Sequence, residues 1–348
     1  MTDDATIEVV DPRRDRAVLG LVTDLLAERG LGRDDDVELF VVARRGDHLI
    51  GCVGLAGTVV KCTAVSPAET GTGIAARLMA ELQNQALDRG RPHLLVYTQP
   101  SNREAFTALG YRPIAEVPGL VTLLENTPFG LSGYCERLRR EEGLVQGRVG
   151  AIVMHANPFT LGHQHLVRTA AQQCARLHVW VVAEEGAMFS AADRLSLVRA
   201  GCAALPEAPQ VRVHAGTAYL VSRATFPEYF LRDPDLVDQG VAGLDVQLFR
   251  RHIGPALGIT DRYVGTEPLS PVTARYNQEL RRWLESEPME QPPITVHEVP
   301  RLEVDQTVVS ASRVRSLLGE GRLDEVAALV PATTLAYLRQ RYTQEEAR

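Results

Sequence analysis

The sequence predicts an α/β protein in which a smaller α+β domain precedes a doubly wound parallel sheet. Three observations lead to this prediction. The length of 348 residues suits two domains better than one. Signals for antiparallel strands dominate residues 1–127, and short apolar strands alternate with amphipathic helices from residue 148 onward. We therefore expect domains at 1–127 and 148–348.

The first domain begins with an amphipathic helix that ends at Gly30, followed by a hairpin signal around Arg45–Asp47. A short loop containing Gly71 and Gly73 then leads into a second helix. The predicted elements are a helix over 16–30, strands over 38–44, 49–55 and 59–65, a helix over 74–89, a strand over 93–98 and a small helix over 102–109.

Residues 128–147 break this periodicity and are predicted to be a linker. Pro128, Gly130 and Gly133 interrupt the pattern, and the charged stretch 136–142 is typical of a solvated helix face. The second domain alternates strands with helices, which predicts parallel strands with helices on both faces. Its predicted elements are strands over 149–154, 178–182, 211–214, 262–265 and 294–299, and helices over 162–176, 192–202, 310–318 and 322–340.

Charge and cysteine content exclude several classes of protein. A net charge of −7 argues against nucleic acid as the main partner. The five cysteines include no close pair, which favours reduced thiols in a cytoplasmic protein. The acidic N-terminus is unlike a signal peptide, and no apolar run approaches the length of a membrane span. We expect a cytoplasmic protein without a membrane partner.

Lysine is nearly absent, because Lys61 is the only lysine among 37 basic side chains of lysine and arginine. Lysine-dependent phosphate binding or Schiff-base chemistry would therefore depend on Lys61 alone. Residues 148–348 contain no lysine, so a polyphosphate bound there needs histidine, arginine, helix N-termini and metal ions. We expect the chemistry of residues 148–348 to survive the substitution Lys61→Ala.

The turn after the strand 149–154 carries the strongest chemical signal. It places His155, Thr160, Gly162 and His163 at the carboxyl end of a parallel strand and at the start of a helix. Ligands of open α/β sheets bind at such ends, and free N–H groups at a helix N-terminus attract phosphate. The histidines can donate hydrogen bonds to phosphate, and Gly162 permits a close backbone approach.

A second phosphate-binding signal lies near the C-terminus. Ser310 and Ser312 precede an apolar helical run, so one of them is a natural N-cap. Arg315, in the first turns of that helix, can hold phosphate oxygens with two hydrogen bonds. In the first domain, successive backbone N–H groups around Gly71 and Gly73 could hold a pyrophosphate.

These two segments of the second domain carry a family resemblance. Thr160-Leu161-Gly162-His163 is similar to the first signature of the nucleotidyltransferase superfamily, and Ser310-Ala311-Ser312-Arg313-Val314-Arg315 is similar to its second. The run 157–163 and the blocks 222–227 and 263–273 resemble the citrate lyase ligases. Together the resemblance covers most of residues 148–318.

The resemblance implies a set of site residues. The expected catalytic residues are His155, His163 and Arg315. The residues expected to bind ATP are Asn157, Thr160, Gly162, Arg194, Gly265, Thr266, Glu267, Ser310 and Ser312. Glu267 stands where the superfamily usually has aspartate. Arg223 is the expected contact of acetate, and Mg²⁺ is expected to bridge phosphates without assigned protein ligands.

The implied reaction joins acetate to ATP and releases pyrophosphate. The acetyl group of the resulting acetyl-adenylate then passes to a thiol and AMP is released. That thiol belongs to the dephospho-CoA-derived prosthetic group of the citrate lyase acyl-carrier subunit, and its acetylation activates citrate lyase. ATP, acetate and this carrier subunit are therefore the expected partners.

The first domain resembles the GNAT-type acetyltransferases. Gly71-Thr72-Gly73 is similar to the end of their pyrophosphate loop, and Asn102 with 106–111 is similar to a later block. In a citrate lyase ligase, Gly71, Gly73 and Asn102 are expected to hold the CoA-like arm of the carrier subunit. Two other functions stay open: adenylylation of a phosphorylated pantetheine-like or nucleotide substrate beside a separate acetyltransferase domain, and a non-catalytic nucleotide-sensing or scaffolding role.

Overall fold

A computed structural model describes residues 5–183, 188–221, 226–231, 233–266, 271–304 and 307–346. The chain folds into two compact units, which we call unit 1 and unit 2. Unit 1 comprises Met1–Tyr134 and Phe226–Leu244, and unit 2 comprises Cys135–Thr225 and Asp245–Arg348. Within the described residues, no helix has both the length and the apolar content needed to cross a bilayer.

Unit 1 is built on a seven-stranded sheet in the order β1-β2-β3-β4-β5-β7-β6. Its strands are β1 (Thr6–Val10), β2 (Leu39–Arg45), β3 (His48–Ala56), β4 (Val59–Val65), β5 (Leu95–Thr98), β6 (Arg112–Val117) and β7 (Val121–Glu125). Its helices are α1 (Arg16–Glu28), α2 (Ile74–Asp88), α3 (Arg103–Ala108), the start of α4 (Gly130–Glu142) and most of α7 (Pro234–Leu248). All strand pairs are antiparallel except β4 with β5.

The buried stripe of α2 packs on one face of this sheet, because Ile74, Leu78 and Leu82 recur at helical spacing. The prediction for this region missed three strands, and two of them have a physical reason. Pro113 argues against a strand at β6, yet β6 lies at the sheet edge, where a missing N–H donor is tolerated. At β1 the strand is five residues long and Glu8 interrupts its apolar residues, so its sequence signal is short.

Unit 2 is built on a five-stranded sheet in the order β10-β9-β8-β11-β12, in which every neighbouring pair is parallel. The strands are β8 (Val149–Met154), β9 (Arg176–Val181), β10 (Val211–Ala215), β11 (Asp261–Gly265) and β12 (Thr295–Val299). A small ribbon of β13 (Glu303–Val304) and β14 (Thr307–Val308) follows. The predicted α/β class with a parallel sheet in the second half of the chain is confirmed.

Helices cover both faces of this sheet, as side-chain alternation in β9 demonstrates. Val179 and Val181 pack against α5 and α6, whereas Trp180 contacts Phe249 on the other face. The helices are α5 (Leu161–Ala171), α6 (Ala191–Ala203), the end of α7 (Pro234–Leu248), α8 (Gly254–Leu257), α9 (Pro271–Arg281), α10 (Ala311–Gly319), α11 (Leu323–Val326) and α12 (Ala332–Glu346). Two π-helical turns, Phe249–Ile253 and Arg282–Ser286, follow α7 and α9.

The sequence interpretation included no helices at the positions of α7, α8 and α9, and it differs from the structure in two further features. The helix expected over 322–340 is two helices, because Pro331 directly before α12 cannot continue a helix from α11. The region expected as a linker, 128–147, contains α4, and the division between the units falls within α4.

Unit 1 also includes a segment that lies far along the chain, 226–244. The Tyr229 hydroxyl donates to the Tyr97 carbonyl at 3.2 Å, and the ring of Phe226 lies 5.5 Å from that of Tyr97. Gly32 N–H donates to the Tyr229 carbonyl at 2.6 Å. Hydrophobic periodicity along the chain does not indicate that this later segment packs with unit 1.

Candidate active site

The candidate site lies where the strand order of unit 2 reverses direction. The sheet proceeds from β8 to β9 and β10 on one side and to β11 and β12 on the other. The carboxyl ends of β8 and β11 lie side by side at this point. The chain segments that follow these two strands lead to opposite sides of the sheet, which opens a crevice between them. The turn 155–160 follows β8, and Thr266 follows β11.

Thr160 and His163 form a reciprocal cap at the start of α5. The Thr160 hydroxyl accepts from the His163 backbone N–H at 3.4 Å, while the Thr160 backbone N–H donates to His163 Nδ1 at 3.1 Å. Because Nδ1 accepts this hydrogen bond, the proton of the neutral imidazole belongs on Nε2. The cap therefore leaves His163 with one hydrogen-bond donor, Nε2–H.

The environment keeps the His163 imidazole neutral. Burial, and then the positive charge of Arg301 and the proximity of His155, lower the pKa of His163 to about 4. The ring also stacks on Phe159 with centroids 5.7 Å apart. His155 itself is exposed at the end of β8. Near neutral pH, His163 is thus a fixed neutral donor, which suits a hydrogen bond to phosphate.

The second signature meets the first through Arg315 and Ser312. Nη1 of Arg315 donates to the Asn157 carbonyl at 2.7 Å, and Nη2 donates to Ser312 Oγ at 3.2 Å. Ser310 is the N-cap of α10, since its Oγ accepts from the Arg313 N–H at 3.2 Å. Arg315 therefore joins the first turn of α10 to the turn before α5. Its guanidinium has further N–H donors that a ligand can use.

Gly162 has a role that the sequence did not indicate. A Cβ at this position would lie 3.0 Å from the Val309 carbonyl, so the glycine permits the segment before α10 to approach α5. This approach joins the two signature segments, and the expected contact of Gly162 with ATP stays a prediction.

Arg194 lies beneath the crevice and is fully buried. Its Nη1 donates to the carbonyls of His155 and Val182, each at 2.8 Å, and its Nε donates to the Phe189 carbonyl at 3.2 Å. The guanidinium thereby joins the chain leaving β8 to the chain leaving β9. Asn157 contributes to the same framework, because its Oδ1 accepts from the Phe189 N–H at 3.3 Å.

Gly265 and Thr266 end β11 at the same edge of the sheet. The Thr266 N–H donates to the Val299 carbonyl at 2.9 Å, and the Thr266 carbonyl accepts from Arg301 Nε at 2.7 Å. Sequence reasoning missed Arg301. Its position just beyond the carboxyl end of β12 is the signal that could have found it. The predicted residues Glu267 and Arg223 lie outside the described residues.

In unit 1, the residues predicted to hold the CoA-like arm of the carrier subunit lie just before the N-termini of α2 and α3. Gly71 and Gly73 have φ values of +81° and +85°, which favour glycine, and Gly73 directly precedes α2. Asn102 directly precedes α3, and its Nδ2 donates to Thr98 Oγ1 at 3.2 Å. The side chain of Asn102 is exposed.

Lys61 is buried in unit 1 and paired with acidic side chains. Its Nζ lies 2.7 Å from Asp36 Oδ2 and 3.1 Å from Asp34 Oδ2. Removing one partner of a buried ion pair destabilises a protein, because the other charge is left uncompensated. Among the described residues, no group of three or more histidine, cysteine, aspartate or glutamate side chains could hold a metal ion.

The fold and this crevice define an enzyme of the nucleotidyltransferase type that also carries an acetyltransferase-type unit. Comparisons with known proteins support both parts. The citrate lyase ligase C-terminal domain family matches residues 149–338, and the acetyltransferase (GNAT) domain family matches residues 23–128. The chain therefore belongs to the citrate lyase ligase family, and the resemblance to that family inferred from the run 157–163 and the blocks 222–227 and 263–273 is confirmed.

Relatives with assigned names cover nearly the whole chain. The citrate (pro-3S)-lyase ligase of Escherichia coli (strain K12) is 41% identical over 94% of this chain and 92% of its own. The enzyme of the same name from Klebsiella pneumoniae is 43% identical over 94% of this chain and 93% of its own. Among solved structures, Escherichia coli ElaA matches 36% of this chain and 100% of its own, with 13% identity and a TM-score of 0.32.

Proposed function

We propose that this protein activates acetate with ATP and transfers the acetyl group to the carrier subunit of citrate lyase, which activates that lyase. The proposal follows the names of its relatives and the crevice of unit 2. One observation carries it: His163 presents Nε2–H at a helix N-terminus whose neighbouring segment is held by Arg315. Such fixed donors stabilise charge that moves between phosphate oxygens.

In the first step, an acetate oxygen attacks the α-phosphorus of ATP and the bond to pyrophosphate breaks. This step needs positioning and stabilisation of negative charge more than a protein nucleophile. His163 Nε2–H, His155 and the N–H groups that begin α5 are the donors proposed for the phosphates. Ser312 and Arg315 would hold the pyrophosphate end from α10, and ATP enters as its Mg²⁺ complex, with the ion bound mainly by phosphate oxygens and water.

In the second step, a thiolate attacks the carbonyl carbon of acetyl-adenylate and AMP leaves, while the thiol proton passes to solvent. We assign the thiol to the prosthetic group of the carrier subunit. The GNAT-type unit is proposed to hold the arm of this group through backbone N–H groups near Gly71 and Gly73.

The exchange of labelled pyrophosphate into ATP tests the first step. Exchange should require acetate, and His163→Ala should lower it by about 100-fold or more, since it removes a donor to the reacting phosphates. His165→Ala, in the same helix, is the matched control and should retain exchange. Exchange without any effect of acetate would overturn the ligase proposal. Exchange that requires a phosphorylated pantetheine-like or nucleotide acceptor would instead support adenylyl transfer.

Binding of the intact carrier subunit tests the role of unit 1. Gly71→Glu should weaken binding, because it places a carboxylate where the pyrophosphate of the arm is expected. Gly90→Glu is a matched control, since Gly90 also has positive φ (+71°) and open space around it but lies at the other end of α2. Equal carrier affinity in the two variants would refute this role.

A further inference from the structure

The glycine loop before α2 is anchored by one buried carboxylate. Within residues 67–73, Glu69 alone is buried, whereas Gly71 and Gly73 are exposed and have open space around them. The Glu69 side chain pairs with Nη1 of Arg45, the last residue of β2. This ion pair ties the exposed loop to the sheet of unit 1.

The backbone of Glu69 continues the connection to the two glycines. Its carbonyl accepts from the Thr72 N–H at 3.2 Å and from Thr72 Oγ1 at 2.7 Å. Thr72 stands between Gly71 and Gly73, so the position of Glu69 fixes where both glycines lie. Contacts therefore lead from Arg45 through Glu69 and Thr72 to the loop that is proposed to hold the arm of the carrier subunit.

The charge of Glu69 matters because α2 begins directly after this loop. The first N–H groups of a helix have no partner within the helix, and Gly73 at the N-cap has no side chain that could accept from them. A pyrophosphate can bind to such groups. A carboxylate beside them without a paired cation would repel the same pyrophosphate.

We propose that Arg45 and Glu69 are positioning residues for the arm of the carrier subunit. Their ion pair holds the glycine loop in place and compensates the carboxylate charge, so the N–H groups at the start of α2 can receive the pyrophosphate of the arm. This inference rests on the proposed function, because it needs unit 1 to hold that arm. Neither residue is assigned a contact with the arm itself.

Calorimetric binding of dephospho-CoA and of pantetheine to the full chain tests this role. Dephospho-CoA contains the pyrophosphate, whereas pantetheine contains no phosphate. Arg45→Met should weaken dephospho-CoA binding by about 10-fold or more, because Glu69 then lacks its paired cation and repels the pyrophosphate. Pantetheine affinity should change by less than about threefold, since an uncharged ligand is not repelled.

Two further variants separate the effect of charge from that of packing. Arg45→Lys keeps the cation and should bind dephospho-CoA within about threefold of the wild type. The double variant Arg45→Met/Glu69→Gln removes both charges and should bind it more tightly than Arg45→Met does. Arg44→Met is the matched control, because Arg44 is the neighbouring residue of β2 and pairs with Glu8. This control should bind dephospho-CoA as the wild type does.

Wild-type dephospho-CoA affinity in Arg45→Met would overturn the inference, and so would an equal loss of pantetheine and dephospho-CoA affinity. If Arg45→Met fails to fold, Arg45→Gln takes its place beside Arg45→Lys. Affinity retained only in the lysine variant would then support the inference, and equal affinity in both would overturn it.

These binding measurements depend on neither acetate nor ATP. If dephospho-CoA binding requires Arg45 but acetate does not stimulate pyrophosphate exchange, the proposed reaction fails while the role of the ion pair stands. If exchange requires acetate and Arg45→Met keeps its dephospho-CoA affinity, only the inference about Arg45 and Glu69 fails. A wild type that binds no dephospho-CoA would overturn both this inference and the proposed role of unit 1.

Discussion

At the scale of single residues, structural and chemical roles coincide at His163. The imidazole that completes the N-terminal cap of α5 is also the one that keeps Nε2–H as a hydrogen-bond donor. The Thr160 N–H fixes the tautomer, and burial beside Arg301 disfavours a second proton. The contacts between Thr160 and His163 thus cap the helix and also keep the His163 imidazole as a neutral hydrogen-bond donor.

Arg194 provides a prediction at this scale. Replacing it with Met removes three hydrogen bonds to backbone carbonyls, so the free energy of unfolding should fall by about 3 kcal/mol or more. Urea unfolding measures this change. Arg199→Met, on the exposed side of the same helix, is the control and should cost less than about 0.5 kcal/mol. Lost ATP affinity with unchanged unfolding would instead place Arg194 against the nucleotide.

At the scale of elements, the turn after β8 depends on the helix beneath it. Phe159 is fully buried, stacks on His163 and faces Gly201 of α6. A Cβ on Gly201 would lie 2.3 Å from the Phe159 ring, so this glycine sets how closely α6 approaches the turn.

The same substitution should therefore have opposite effects in two helices of unit 2. Gly201→Ala should destabilise the protein by about 1–3 kcal/mol, because the ring of Phe159 must move. Gly319→Ala has open space around the new methyl group and should be neutral or stabilising by up to about 1 kcal/mol. The midpoints of urea unfolding measure both effects. Equal shifts of the midpoint in the two variants would contradict this account of the packing.

At the scale of the whole molecule, buried histidines make stability depend on pH. Burial lowers the pKa of His178 to about 3 and, with nearby arginines, that of His214 to about 4, and the pKa of His163 is also about 4. Histidines of an unfolded chain have a pKa near 6.5. Between about pH 4 and 6.5 the unfolded chain therefore binds more protons, and the free energy of unfolding falls as the pH is lowered.

Asp245 acts in the opposite sense. Burial raises its pKa to about 6, so its contribution is present at low pH and is lost as the pH rises through about 6. Three histidines outweigh one aspartate, so unfolding should become easier from about pH 6.5 to about pH 5. The slope is about 1.4 kcal/mol per pH unit for each net proton.

Tryptophan fluorescence in urea measures this effect, because Trp180 and Trp283 both belong to unit 2. The double variant His178→Gln/His214→Gln removes two of the titrating groups and should have a shallower pH dependence than the wild type. A wild type equally stable at about pH 5 and about pH 6.5 would rule out the buried neutral histidines.

Features that depend on neighbouring residues could be predicted from the sequence, whereas features that depend on residues far apart in the chain could not. Local features were predictable: strand β8, a serine N-cap at 310 or 312 and the glycine loop before α2 each depend on neighbouring residues. The cap formed by Thr160 and His163 is equally local but was not predicted. The break at Pro331 was also a local signal, but the helical periodicity on both sides concealed it.

Periodicity and capping act over a few residues, so the amino-acid sequence alone was enough to predict the two-part organisation, the parallel sheet and both signature segments. Only the folded chain reveals that Arg194 bonds to backbone carbonyls, that Gly162 faces Val309, that Arg301 bonds to the Thr266 carbonyl and that 226–244 belongs to unit 1. Each of these joins residues distant in the chain, and only the packing of strands and helices determines such contacts.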